Sequence, residues 1–361
     1  MIEHDIWFST LKLKYSMKIK LLAKFETTEN ILNYGRDSSL CITYDENEVY
    51  LKNIIKNSYD ENIINKIKAI VYKNDVKIIT FNDNNYPKSL KNFEDSPSII
   101  YYKGDISQIN LNKNAALVGS RNCSAYGKSV ASSISKELTL RGVNIISGLA
   151  RGIDAAAQES CIKSNGFTCG ILGCGIDIIY PKDNARLFSQ VYKTGCVISE
   201  FLPGTKPLNY NFPVRNRLIS GISDILIVVE ANENSGSLIT AGFGADQGKE
   251  VMAVPGSLFS DKSMGTNKLI HDGAHVFTEM KDIYEILNIK DVTLKVIKNF
   301  NSTSVLDKIL STLSDKPIHV DEIINITRID INQIYELLFE LQLDNQILAL
   351  SGNYYVKVAN N

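Results

Sequence analysis

Asp224-Ile225-Leu226-Ile227-Val228-Val229-Glu230 is the stretch on which the fold turns. Its centre is apolar without alternation, the pattern of a strand covered on both faces. Downstream, Ser235-Gly236-Ser237-Leu238-Ile239-Thr240 opens a helical pattern over Leu238–Gln247. Further strands are expected at Ala115–Gly119, Val143–Ser147, Phe167–Leu172, Cys196–Glu200, Val251–Val254 and His275–Phe277, with helices such as Gly127–Leu140 and Ile153–Ser164 between them. This alternation predicts an α/β domain over 76–290, a doubly wound and mostly parallel sheet. Short strands at Val76–Phe81 and Ser98–Tyr102 lead into it.

Just upstream lies Phe212-Pro213-Val214-Arg215-Asn216-Arg217-Leu218-Ile219-Ser220-Gly221. From Thr205 to Gly221 there are three cations (Lys206, Arg215, Arg217) and no acid, in a chain of net charge -1. Pro213 suits the first turn of a helix, which would put Arg215, Asn216 and Arg217 near a helix N-terminus where an anion is favoured.

The outer modules read differently. Residues 1–75 are helical and Lys-rich (Lys12, Lys14, Lys18, Lys20, Lys24). Two short helices are expected within Lys18–Leu32, and Thr27 or Thr28 serves as N-cap. A small helical domain is expected, either with a solvated lysine face or as a helix-hairpin-helix-like module touching phosphates. A linker is expected at 291–304. Helices at Val305–Leu313, Asp321–Ile326 and Ile331–Leu343, then strands at Ile347–Leu350 and Tyr354–Val358, predict a winged helix over 305–361. Between Asp321 and Asn345 six carboxylates (Asp321, Glu322, Asp330, Glu336, Glu340, Asp344) face one cation, Arg328, so this module is expected to dock protein rather than DNA.

With 361 residues, 44% of them hydrophobic and 22% charged, the chain has ample core for two or three domains. The acidic N-terminus lacks a signal-peptide profile and no apolar run reaches membrane-spanning length, so a cytoplasmic protein without membrane attachment is expected. Six cysteines without CxxC spacing predict reduced, buried thiols and no zinc site.

In an open parallel sheet, ligands bind beyond the carboxyl ends of the strands. The loops there combine glycine with hydroxyls or cations: Gly119-Ser120-Arg121, Ser147-Gly148-Leu149-Ala150-Arg151-Gly152-Ile153-Asp154, Gly173-Cys174-Gly175 followed by Tyr180-Pro181-Lys182, and Ser235-Gly236-Ser237. Arg121, Arg151, Lys182, Arg215 and Arg217 are expected to converge on one sheet edge as a polyanion site. Phe212 and Tyr210 are candidate base-stacking residues, a core position being the equal alternative for Phe212. Asp154 is expected to cap a helix. Glu200 and Glu230 are acids or bases, or the partners that hold Arg121 or Arg217.

Enzymatic motifs fall short. Gly127-Lys128-Ser129 ends like a P-loop, but the motif's first glycine position is Asn122. GxGxxG, HExxH and GxSxG are absent, so neither a cofactor nor a metal is expected, and binding rather than turnover is.

Ala116–Arg121 (ALVGSR), Ser147–Asp154 (SGLARGID), Leu172–Asp177 (LGCGID), Ser199–Pro203 (SEFLP), Phe212–Gly221 and Val229–Ala241 (VVEANENSGSLITA) resemble, in order, the motifs of the DNA-processing protein A (DprA, or Smf) family. So do Val254-Pro255-Gly256 and Gly265-Thr266-Asn267. The resemblance covers about 76–278. It implies an extended Rossmann-type fold, sequence-independent binding of single-stranded DNA, a homodimer, and loading of the RecA recombinase onto DNA in natural transformation. It further implies that Arg121 with Gly119 and Ser120, then Lys182, Arg215 and Arg217, hold the DNA. Arg151 joins them on the physical argument. The rival is a nucleotide-processing phosphoribohydrolase of the lysine-decarboxylase-like group, whose PGGxGTxxE motif is not matched at Ser235–Ala241.

Overall fold

The computed structural model describes residues 2–37, 46–289, 305–314, 316–343, 346–350 and 352–358. The expected linker at 291–304 lies outside the described residues, as do Asp344 and the side chains of Glu336 and Glu340. The chain divides into two compact units, Met1–Lys290 and Asp291–Asn361.

The first unit opens with five helices: α1 (Ile2–Thr10), α2 (Tyr15–Phe25), α3 (Thr28–Arg36), α4 (Glu46–Asn57) and α5 (Glu61–Lys73). The expected break within Lys18–Leu32 falls between α2 and α3, where the Thr27 side chain accepts the Asn30 N–H at 3.1 Å. These helices bury Trp7, Phe8, Leu22 and Ile31 in one core with Tyr101, Leu149, Leu172 and Val197 of the sheet region.

The α/β layer follows as β1 (Lys77–Thr80), β2 (Ile99–Gly104), β3 (Asn114–Val118), α6 (Ala125–Leu140), β4 (Asn144–Ser147), α7 (Ile153–Lys163), β5 (Thr168–Ile171), α8 (Ala185–Thr194), β6 (Cys196–Ser199) and α9 (Asn211–Ile222). It ends with β7 (Ile225–Val228), α10 (Gly236–Asp246), β8 (Glu250–Ala253), α11 (Asp261–His271), β9 (His275–Val276) and α12 (Met280–Leu287). The nine strands lie in the order β1-β2-β6-β5-β4-β3-β7-β8-β9. The pairings from β6 through to β9 are parallel, while β1 and β2 add an antiparallel edge.

Every residue of β3, β4, β5, β6 and β7 is buried, as unalternated apolar runs covered on both faces must be. The chain winds outward from β3 to β6, then returns to place β7 on the other side of β3. The crevice at this reversal opens at the carboxyl ends of β3 and β7. α9 is anchored beside it by Leu218, Ile219 and Ile222, whose burial contributes about 1.5–3 kcal/mol each.

The second unit contains α13 (Val305–Thr312), β10 (Ile318–His319), α14 (Val320–Thr327), α15 (Ile331–Leu343), β11 (Ile347–Leu350) and β12 (Tyr354–Lys357). Its antiparallel sheet, ordered β10-β12-β11, closes over Ile309, Val320, Ile323, Ile334, Leu338 and Tyr355. β10 is a strand the sequence pattern does not announce. Among the described residues no helix is long and apolar enough to cross a membrane, and the five described cysteines are unpaired.

Candidate nucleic-acid interface

The β3–β7 crevice holds a cavity of about 500 Å³. Gly119, Ser120 and Arg121 line it from β3, Asn232, Asn234, Ser235, Gly236 and Ser237 from the β7–α10 turn, and Phe212, Arg215 and Asn216 from α9. A smaller recess beside it is bounded by Gly148, Arg151, Tyr180 and Pro181, with Arg121, Phe212 and Arg215 common to both.

The β3 turn is shaped by close backbone approach. A Cβ at Gly119 would lie 2.8 Å from the Glu230 carbonyl, and one at Gly152 (φ +76°) would lie 2.2 Å from the Ser120 carbonyl. The Ser120 N–H donates to the Glu230 carbonyl at 2.7 Å, tying the two strand ends together. Beyond the turn, the buried Glu230 carboxylate accepts from the Ser124 N–H at 2.8 Å and from the Ser124 hydroxyl, fixing the residue that caps α6. Glu230 is thus a scaffold acid, and its partner is Ser124 rather than an arginine. On the opposite wall Ser235 caps α10, and its hydroxyl meets that of Ser237 at 2.7 Å.

This geometry leaves Arg121 exposed at the mouth. Its guanidinium lies over the Phe212 ring, 5.2 Å from the centroid, and has no ion-pair partner among the described residues. Phe212 is half-buried and also lies near Arg215, whose guanidinium is 5.9 Å from its centroid. Tyr180 packs against it at 5.5 Å between ring centroids. A Cβ at Gly173 would lie 2.7 Å from the Phe212 ring, so that glycine makes room for it.

The other expected contact residues divide. Arg215 is buried: Nη1 donates to the Gly148 carbonyl at 2.8 Å and to the Ile171 carbonyl, and Nε donates to Asn216 Oδ1 at 3.1 Å. Burial pushes the guanidinium down to about 10, against the upward pull of Asp154. Asp154 itself accepts from the Gly148 N–H at 3.0 Å, and burial raises its carboxyl despite the nearby Arg215. It stands in the first turn of α7, whose N-cap is Gly152, which corrects the expectation that Asp154 caps that helix. Asn216 bridges inward to the Gly236 carbonyl at 3.3 Å.

Arg217 corrects the sequence expectation most sharply. Two residues beyond Arg215 on a 3.6-residue period, it points elsewhere and pairs with the buried Glu200 at 2.5 Å, with Asp95 at 3.4 Å and the Tyr15 ring at 4.8 Å. Burial would lower its guanidinium, and Glu200, Tyr15 and Asp95 together more than offset this. Arg217 does not line the cavity, so the five cations do not converge on one edge. Arg151 borders the recess but is exposed and paired with Asp183 at 2.5 Å. Lys182 is exposed and lines neither space. Asparagines 122, 209, 232 and 234 do line the cavity, and no feature of residue type marks them out in the sequence.

Residues 77–288 match the family model for DNA recombination-mediator protein A, and residues 299–353 match the DprA winged helix domain. The chain belongs to the DprA family. The DNA processing protein DprA of Bacillus subtilis is 40% identical over 242 residues, 67% of this chain and 81% of that one. Protein Smf of Escherichia coli is 35% identical over 278 residues, 74% of each. Among solved structures, DprA from Streptococcus pneumoniae superposes with a TM-score of 0.65 at 30% identity, over 78% of this chain and 95% of that one. DNA processing protein A from Helicobacter pylori, described for its single-stranded DNA binding mode, does so with a TM-score of 0.54 at 28% identity, over 59% of this chain and 95% of that one. The extended Rossmann-type sheet with N-terminal helices and a C-terminal winged helix is therefore a family architecture.

Proposed function

We propose that this family member binds single-stranded DNA without sequence preference at the β3–β7 crevice, as a recombination mediator rather than an enzyme. The observation that carries this reading is the exposed Arg121 guanidinium stacked over Phe212 at the mouth of the cavity. A cation for phosphate beside an aromatic face for a base is what a sequence-tolerant strand binder needs. Hydroxyls and backbone amides at the N-terminus of α10 offer further donors to a backbone phosphate. The functional reading extends to loading of the RecA recombinase onto the bound strand, with the chain acting as a homodimer in the cytoplasm. The relatives' DNA-processing names and the matching mediator model support it.

Fluorescence anisotropy with labelled single-stranded and duplex oligonucleotides at two ionic strengths tests the site. Arg121→Ala should lose about tenfold in single-strand affinity and make the salt dependence shallower by about one phosphate contact. Equal affinity for duplex and single strand, or no loss in the variant, would refute the assignment. Release of a base from a nucleoside monophosphate would put a phosphoribohydrolase in its place.

A further inference from the structure

The turn between β8 and α11 exposes two neighbouring apolar side chains, Leu258 at 83% and Phe259 at 99%. Solvent normally drives such residues inward, so their display calls for a rigid support. That support is present. Gly256 exchanges both backbone bonds with the Asn267 side chain at 3.1 Å. The Ser260 and Ser263 N–H groups donate back to Ser257 and Ser260 at 3.1 and 2.9 Å. A Cβ at Gly256 would collide with Ser263 at 2.1 Å.

The turn is also locked to the cavity wall. The Ala231 N–H donates to the Lys262 carbonyl at 2.9 Å and the Gly265 N–H to the Ala231 carbonyl at 2.8 Å, and the next residue, Asn232, lines the cavity. On the β3 side, the exposed Tyr126 of α6 donates its hydroxyl to the Pro255 carbonyl at 3.3 Å, which lays its ring beside the turn. Directly after the turn, Asp261 and Lys262 in the first turn of α11 bring one charge of each sign.

We propose that Phe259, Leu258 and Tyr126 form a second nucleobase-stacking site, onto which a strand continues from the Arg121–Phe212 cavity. This rests on the reading of that cavity as a single-strand site. The occupant is single-stranded nucleic acid because the turn is tied through Ala231 to Asn232 of the cavity wall and offers exposed aromatic faces next to it. Since local cations and acids balance, the patch contributes through stacking rather than phosphate neutralisation. It should therefore add affinity for longer strands without adding salt dependence.

The test compares full-length chain and the double variant Leu258→Ser, Phe259→Ala on oligothymidylates of about 5 and about 15 nucleotides. The variant should lose about tenfold in affinity for the longer strand with an unchanged salt slope, and nothing for the shorter one. Arg121→Ala should weaken both lengths. Should the double variant bind the long strand like wild type while Arg121→Ala still weakens it, the second site is wrong and the cavity reading stands. Should neither strand bind the wild-type chain, both fall. A variant that keeps full affinity but changes the mass seen by light scattering would make the patch a protein interface and overturn the proposal. Ultraviolet cross-linking of a long 5-iododeoxyuridine strand to Phe259 or Tyr126 gives an independent positive readout, absent from the short strand.

Discussion

The β3 turn and helix α9 both bring arginine to the same crevice, with opposite consequences. Arg121 sits on a glycine-shaped turn at the cavity mouth and faces solvent over an aromatic ring. Arg215 and Arg217 sit inside a packed helix, where one donates to strand-end carbonyls and the other to the buried Glu200. The same side chain is a ligand-binding group when its desolvation is left to the ligand, and a scaffold when the fold has already desolvated it. In a DNA-binding protein, counting arginines therefore overstates the site.

The comparison breaks most easily at Arg217. Arg217→Ala leaves Glu200 buried without its cation and should cost about 3–5 kcal/mol in urea unfolding. Arg215→Ala should destabilise by a similar mechanism, through the unpaired Gly148 and Ile171 carbonyls and Asp154. Wild-type stability with lost DNA affinity in either variant would return these residues to the binding surface.

Lys18 sharpens the scaffold side. Burial lowers its ammonium from 10.5 to about 8, with Nζ donating to the Ser9 carbonyl at 3.1 Å. A folded-state value below the unfolded one means the folded chain releases this proton first. Stability should therefore rise as pH climbs from 8 to 10.5, by on the order of 1–3 kcal/mol. Lys18→Met should lack that rise, so the wild-type-minus-variant difference should grow across this window, and a constant difference would count against it.

Arg121→Ala should leave the unfolding midpoint within about 0.5 kcal/mol of wild type, in keeping with an exposed residue, while single-strand affinity drops about tenfold. A large loss of stability would move Arg121 to the scaffold class.

The smallest effect is expected from the winged helix. Its sequence is acidic between Asp321 and Asn345, and it exposes Ile326, Tyr335, Leu348, Leu350 and Tyr354. We propose that it docks protein. Removing residues 291–361 should change single-strand affinity by less than about twofold, and a larger loss would assign it a share of DNA binding.

The continuous apolar runs, led by Ile225–Val229, made the parallel sheet legible because both-face burial leaves no room for alternation. The glycine turns at Gly119 and Ser235–Ser237 likewise marked the strand ends that line the cavity. Thr27 was legible as a cap because its oxygen acts within a few residues of its own position.

What the linear order could not convey is which way a helical side chain faces and what waits there. Arg215 and Arg217 are two residues apart, yet one meets the ends of β4 and β5 and the other meets Glu200, Asp95 and Tyr15. Tyr15 is brought from far away in the chain, so that pairing has no local trace. Local patterns set strands, caps and turns because those depend on neighbours in the chain. Burial of a charge depends on neighbours in space, and only the folded structure decided that Arg121 remains open to a ligand.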